Sequence, residues 1–159
     1  MRVSVVSVAA AVAAVTLVTG CGTSEKPVTK AQYEQRLAKI GQGLYQAANA
    51  LTQSSNTQIF IDAVSHLEDV VADSANDLDG VRPPGEAAQR ANDRLVHAYR
   101  DLKGEFEKVK DARRQSFRQA INALQRLQKS QPAQETLRAA QQLRKLGYTF
   151  PASASIGSA

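Results

Sequence analysis

Apolar residues recur every three or four positions along most of this chain, and that spacing decides what it can fold into. Tyr33, Leu37, Ile40, Leu44, Ala47 and Leu51 follow one another at steps of four, three, four, three and four. Steps of this size put all six on one stripe of an α-helix. Thr29 precedes them with Gln32 three residues on, the spacing of a capping box. After the turn residues Ser54, Ser55, Asn56 and Thr57, a second series begins: Phe60, Val64, Leu67, Val71 and Leu78. Ile61 and Val70 widen its face, and Ala63 and Ala75 fill it. Gly80 is placed to end this helix in the left-handed conformation that glycine favours. Gly41 and Gly43 weaken the first helix by about 1 kcal/mol each and permit a close helix contact.

Pro83 and Pro84 forbid helix continuation and stiffen the next connection. A third helix starts near Gly85 or Glu86, with Ala88, Ala91, Leu95, Ala98, Tyr99, Leu102, Phe106 and Val109 on its apolar face. Phe117, Ala120, Ile121, Leu124 and Leu127 continue the series, and only Gly104 interrupts the run before Pro132. A single helix of that length is unusual in a compact domain, so a break is expected within Lys110 to Ser116. The last helix opens at Ser130, with Pro132 in its first turn. It carries Leu137, Ala140, Leu143 and Leu146 and ends at Gly147; Tyr148 and Phe150 follow as a hydrophobic clasp. No stretch alternates with period two, so no sheet is expected. The fold class is all-α: an antiparallel helical bundle of four to five helices over residues 29–150, with residues 151–159 a disordered tail.

The start of the chain has a different character. After Met1 and Arg2, residues 3–18 contain no charge, a basic n-region followed by an apolar h-region. This run is shorter than the roughly 20 residues of a membrane-spanning helix, and no cluster of Lys and Arg follows it. Residues 1–20 therefore read as a cleaved secretory signal peptide. Leu17, Val18, Thr19, Gly20 and Cys21 resemble the lipobox of bacterial lipoproteins, in which small residues precede an acylated cysteine. The resemblance implies a diacylglyceryl group on Cys21, the only cysteine of the chain. Two acyl chains hold far better than one, at roughly 0.8 kcal/mol per buried methylene. The expected location is the extracytoplasmic face of the cell membrane, with residues 22–28 as a short polar tether.

Outside the cell no disulfide is available to one cysteine, so the 139 residues left after cleavage must be held by their apolar core. Loss of Arg2 with the leader lowers the formal charge from +5 to +4, which is compatible with an anionic membrane or wall polymer but is also an ordinary solvated surface. Nucleic acid is not an expected partner there.

Chemistry-bearing patterns are sparse. Asp77, Asp79, Gly80 and Glu86 fall at positions three, five, six and twelve of an EF-hand loop. Ala75 stands at position one, however, and Pro83 and Pro84 prevent the loop from wrapping. The two histidines, His66 and His97, lie near helix faces and would need a carboxylate such as Asp69 or Asp93 to form a metal or acid-base site. No nucleophile elbow or phosphate loop is present, so no catalytic residue, metal site or cofactor is assigned. Lys103, Lys108, Lys110, Arg113, Arg114, Arg118, Arg126 and Lys129 are interleaved with Asp101, Glu105, Glu107 and Asp111 at spacings of three and four, as on a salt-bridged solvated surface.

The stretch from Val81 to Leu102, with its Pro-Pro pair between helices, resembles small helical lipoproteins and secreted proteins of actinobacteria, as do the lipobox and the terminal Leu146, Gly147 and Tyr148. In that group an Ala-His-x-x-Leu pattern often follows the prolines; here Asn92 stands in the place of the His. The resemblance implies a class and a compartment but no activity. The expected function is a non-enzymatic, membrane-anchored domain that binds or scaffolds an envelope protein; the alternative is a carrier for a lipid or small ligand.

Overall fold

A computed structural model describes residues Lys26 to Phe150. The expected signal peptide, the expected lipobox residues Val18, Thr19 and Gly20, Cys21 and the expected tail after Phe150 lie outside the described residues. The elements are β1 (Lys26–Pro27), α1 (Lys30–Thr52), α2 (Thr57–Asp79), β2 (Val81–Arg82), α3 (Glu86–Gln115), α4 (Phe117–Gln128) and α5 (Gln131–Lys145). The fold is all-α.

The first stripe is buried as its spacing requires: Tyr33, Leu37, Ile40, Leu44 and Ala47 are all in the core. The capping box forms, with Gln32 N–H donating to Thr29 Oγ1 and Thr29 N–H donating to Gln32 Oε1. In α2 the side chains of Phe60, Val64, Leu67, Val71, Ala75 and Leu78 are buried, and Asn56 caps its start through Ile59 N–H. The Val70 side chain lies 3.5 Å from where a Cβ on Gly43 would stand, so α1 and α2 pack closely at that glycine.

The five helices form four rods. α3 is central and packs against α2, α4 and α5, whereas α1 packs on α2, and α4 barely touches α5. α4 covers the second half of α3. α5 covers the first half, where Arg94 of α3 donates to Gln142 of α5. The chain breaks between α3 and α4 at one extended residue, Ser116, with φ −168° and ψ 158°. Its hydroxyl accepts from Gln119 N–H, so the residue that ends one helix caps the next.

Three expectations are corrected. First, a minimal sheet exists: β1 pairs in parallel with β2, Lys26 opposite Val81 and Pro27 opposite Arg82. Lys26 N–H donates to Gly80 C=O and Val28 N–H to Arg82 C=O. A two-residue ladder carries no periodic signal, and it makes residues 26–28 part of the domain rather than of the tether. Second, Gly80 ends α2 at φ −90°, because the chain turns directly into β2; the left-handed glycines are Gly85 and Gly147. Third, Leu137 and Leu146 of the last apolar series are exposed. They are nine residues apart, half a revolution out of phase on a 3.6-residue helix, and the buried face centres instead on Ala139, Ala140 and Leu143.

Gly147 closes α5 in a Schellman motif. Its φ is 82°, its N–H donates to Arg144 C=O, and Tyr148 N–H donates to Leu143 C=O. The reversal drives Tyr148 into the core, so the expected clasp forms: the Tyr148 ring meets Tyr33 edge-on at 5.4 Å, and its hydroxyl donates to Pro84 C=O.

Candidate functional site

The residues that gather at the β1 end of the bundle are of two kinds, a buried polar knot and an open groove. The knot centres on Asn92. Its Oδ1 accepts from the Tyr33 hydroxyl at 2.8 Å, and its Nδ2 faces Leu78 C=O at 3.1 Å and Val81 C=O at 3.4 Å. Asn92 thus ties α1, the end of α2 and β2 to α3. Burial pushes the Tyr33 phenol well above its ordinary pKa, and Tyr148, Tyr99 and Asp93 add to the shift. Burial likewise raises Tyr99. These phenols stay protonated and serve as donors or packing groups. The Asn92 amide is satisfied on both sides, which marks it as a structural device.

The groove runs along the outer face of α1 from β1. It has a volume of about 1170 Å³ and is lined by Lys26, Pro27, Gln35, Arg36, Lys39 and Tyr45, with Asp77 of α2 the carboxylate on its edge. Lys26, Arg36 and Lys39 project from two elements and enter no ion pair within the described residues, and Tyr45 leaves about half its surface exposed. The sequence reading missed this face. Its signal was Gln35, Ala38, Gln42 and Tyr45, a second series at steps of three and four on the side opposite the apolar stripe. Such a surface offers cations, amides and one aromatic ring to an anionic or polar chain.

The other candidates separate in space. His66 and His97 are both exposed. Lys110 of α3 pairs with Glu68 of α2 at 2.7 Å, so His66 sits near that level. His97 is thirteen residues earlier on α3, about 20 Å along the helix axis, and the two imidazoles do not meet. His97 instead borders a smaller groove with Asp101, Glu105 and Glu135. There Glu105 is held by Lys108 at 2.6 Å and Glu135 by Arg138 at 2.7 Å. Asp79 is engaged by Arg100 at 2.7 Å, which takes it out of any calcium loop with Asp77 and Glu86. Among the described residues no group of three or more His, Cys, Asp or Glu could hold a metal ion.

In the basic segment, Lys110 bridges Glu68 and Glu107, and Arg114 pairs with Asp111. The hydrogen bond to Glu68, then that to Glu107, raises the Lys110 pKa; the Lys110 contact in turn lowers Glu107. Much of this surface is internally matched.

No family model matches the chain, and no curated protein or solved structure shows significant similarity to it.

Proposed function

We propose that this chain is an extracytoplasmic lipoprotein: a non-enzymatic helical domain, anchored through a diacylglyceryl group on Cys21, that binds or scaffolds an envelope protein. The reading is carried by one observation, the series Leu17, Val18, Thr19, Gly20 and Cys21 after an uncharged run, directly ahead of a folded all-α domain. A thiol is the strongest nucleophile among side chains, which suits it to take the lipid. The α1 groove supports the binding role, since Lys26, Arg36 and Lys39 enter no ion pair among the described residues, and Gln35, Gln42 and Tyr45 are exposed on it.

Two experiments test the proposal. Cys21→Ser should release the domain from the membrane fraction or leave an uncleaved precursor; a variant that is processed and stays membrane-bound would overturn the anchor. Native mass spectrometry of the wild type extracted from its own membrane should show a stoichiometric protein partner. A copurified lipid with no protein partner would favour the carrier role instead.

A further inference from the structure

We propose that the β1 end of the bundle is a bilayer-docking surface, which stands the four rods upright on anionic phospholipid head groups. The inference rests on the lipobox reading and adds to it the face that meets the membrane.

The leash is shorter than the sequence suggests. Because Lys26 and Val28 are hydrogen-bonded to Gly80 and Arg82, only residues 22–25 separate Cys21 from the folded domain. Five residue steps from Cys21 to Lys26 reach at most about 18 Å. α3, the longest rod at 30 residues, is about 45 Å long. A leash less than half that length, rooted at one end, keeps that end beside the bilayer.

The same end is built for such contact. Leu146, at the close of α5, is 41% exposed, and Phe150 is partly buried against the core with the Arg144 guanidinium 4.9 Å from its ring centre. Lys145 adjoins Leu146, and Lys26 stands on β1; neither enters an ion pair within the described residues. Among the described residues three nearby carboxylates are engaged internally, Glu34 by Lys30 and Thr149, Asp79 by Arg100 and Glu86 by Arg90; Asp77 on the groove edge and Asp93 near Tyr33 enter no ion pair there, and Glu25 precedes Lys26 in the sequence. The end therefore presents an exposed apolar residue next to Lys145, with Lys26 on the same end of the bundle, both without an ion pair among the described residues. Long basic side chains beside apolar ones favour the head-group region, and each Lys or Arg near an anionic surface adds to the attraction.

The test uses the full lipidated chain. Once Cys21 carries lipid, an added cysteine is the only free thiol, so nitroxide labels at Leu146→Cys and at Gln53→Cys, on the opposite end, report depth. In vesicles of phosphatidylcholine and phosphatidylglycerol, the label at 146 should be several-fold less accessible to a water-soluble nickel relaxant than the label at 53. Adding Lys26→Glu and Lys145→Glu should narrow that difference at least two-fold, with the leash still holding the end near the bilayer. Equal accessibility at 146 and 53, or a difference left unchanged by both charge reversals, overturns the docking surface. Intact mass of the same sample keeps the two readings apart: an unlipidated Cys21 refutes the anchor, whereas a lipidated chain with equally wet labels refutes only the docking.

Discussion

The Tyr33 hydroxyl donates a 2.8 Å hydrogen bond to Asn92 Oδ1 across 59 residues of sequence, and this one contact joins the start of α1 to the middle of the fold. The Asn92 amide passes the connection on to the carbonyls of Leu78 and Val81. Replacing it with leucine strands the Tyr33 hydroxyl and the Val81 carbonyl and leaves Leu78 C=O with the Gly80 N–H alone. Asn92→Leu should destabilise the domain by about 2–4 kcal/mol, read as a lowered midpoint in urea unfolding. Tyr33→Phe removes a single partner and should cost about 1 kcal/mol. Equal costs for the two would show that Asn92 is not the hub.

Two glycines that look alike in sequence should respond in opposite directions. Gly80 has φ −90°, and an added Cβ there meets nothing within 4 Å. Gly80→Ala is therefore expected to be neutral or stabilising by up to about 1 kcal/mol. Gly147 has φ +82° and closes the Schellman motif, so Gly147→Ala should cost about 1 kcal/mol or more. Thermal unfolding of the two variants checks the contrast.

This pair also marks the limit of what the sequence conveys. The apolar stripes of α1, α2 and α3 were legible because core burial selects residues at every turn, and the Thr29 box and Ser130 cap because they have fixed spacing. Gly80 departs from the left-handed expectation because a glycine at a helix end does not reveal its φ; here the chain runs straight into β2 at φ −90°. The break at Ser116 was narrowed only to a window, although Ser116 and Gln119 carry the same cap spacing as Thr29 and Gln32. Leu137 and Leu146 misled because steps of three drift around the helix. The α1 groove went unnoticed since nothing in a row of Gln, Arg, Lys and Tyr distinguishes a concave surface from a convex one. Asn92 was noted only as a departure from a pattern; its burial depends on elements far away in sequence.

The C-terminal clasp should loosen in acid. Glu34 accepts from Thr149 N–H at 2.8 Å, and that bond, followed by the Thr149 hydroxyl and Lys30, lowers its carboxyl pKa below the ordinary 4.5 while partial desolvation opposes them. A folded-state pKa below the unfolded one means the contact stabilises above about pH 4.5 and is lost as pH falls through the folded value. The Thr149 amide proton resonance should titrate with a midpoint below 4.5, and in Glu34→Gln this inflection should vanish. A midpoint at or above 4.5 would contradict the geometry.

Cys21 carries the proposed anchor, and intact mass spectrometry of the protein isolated from its native membrane reads its modification. The predicted mass is that of residues 21–159 carrying a diacylglyceryl group on Cys21. A chain that retains residues 1–20, begins elsewhere, or bears an unmodified Cys21 would contradict it.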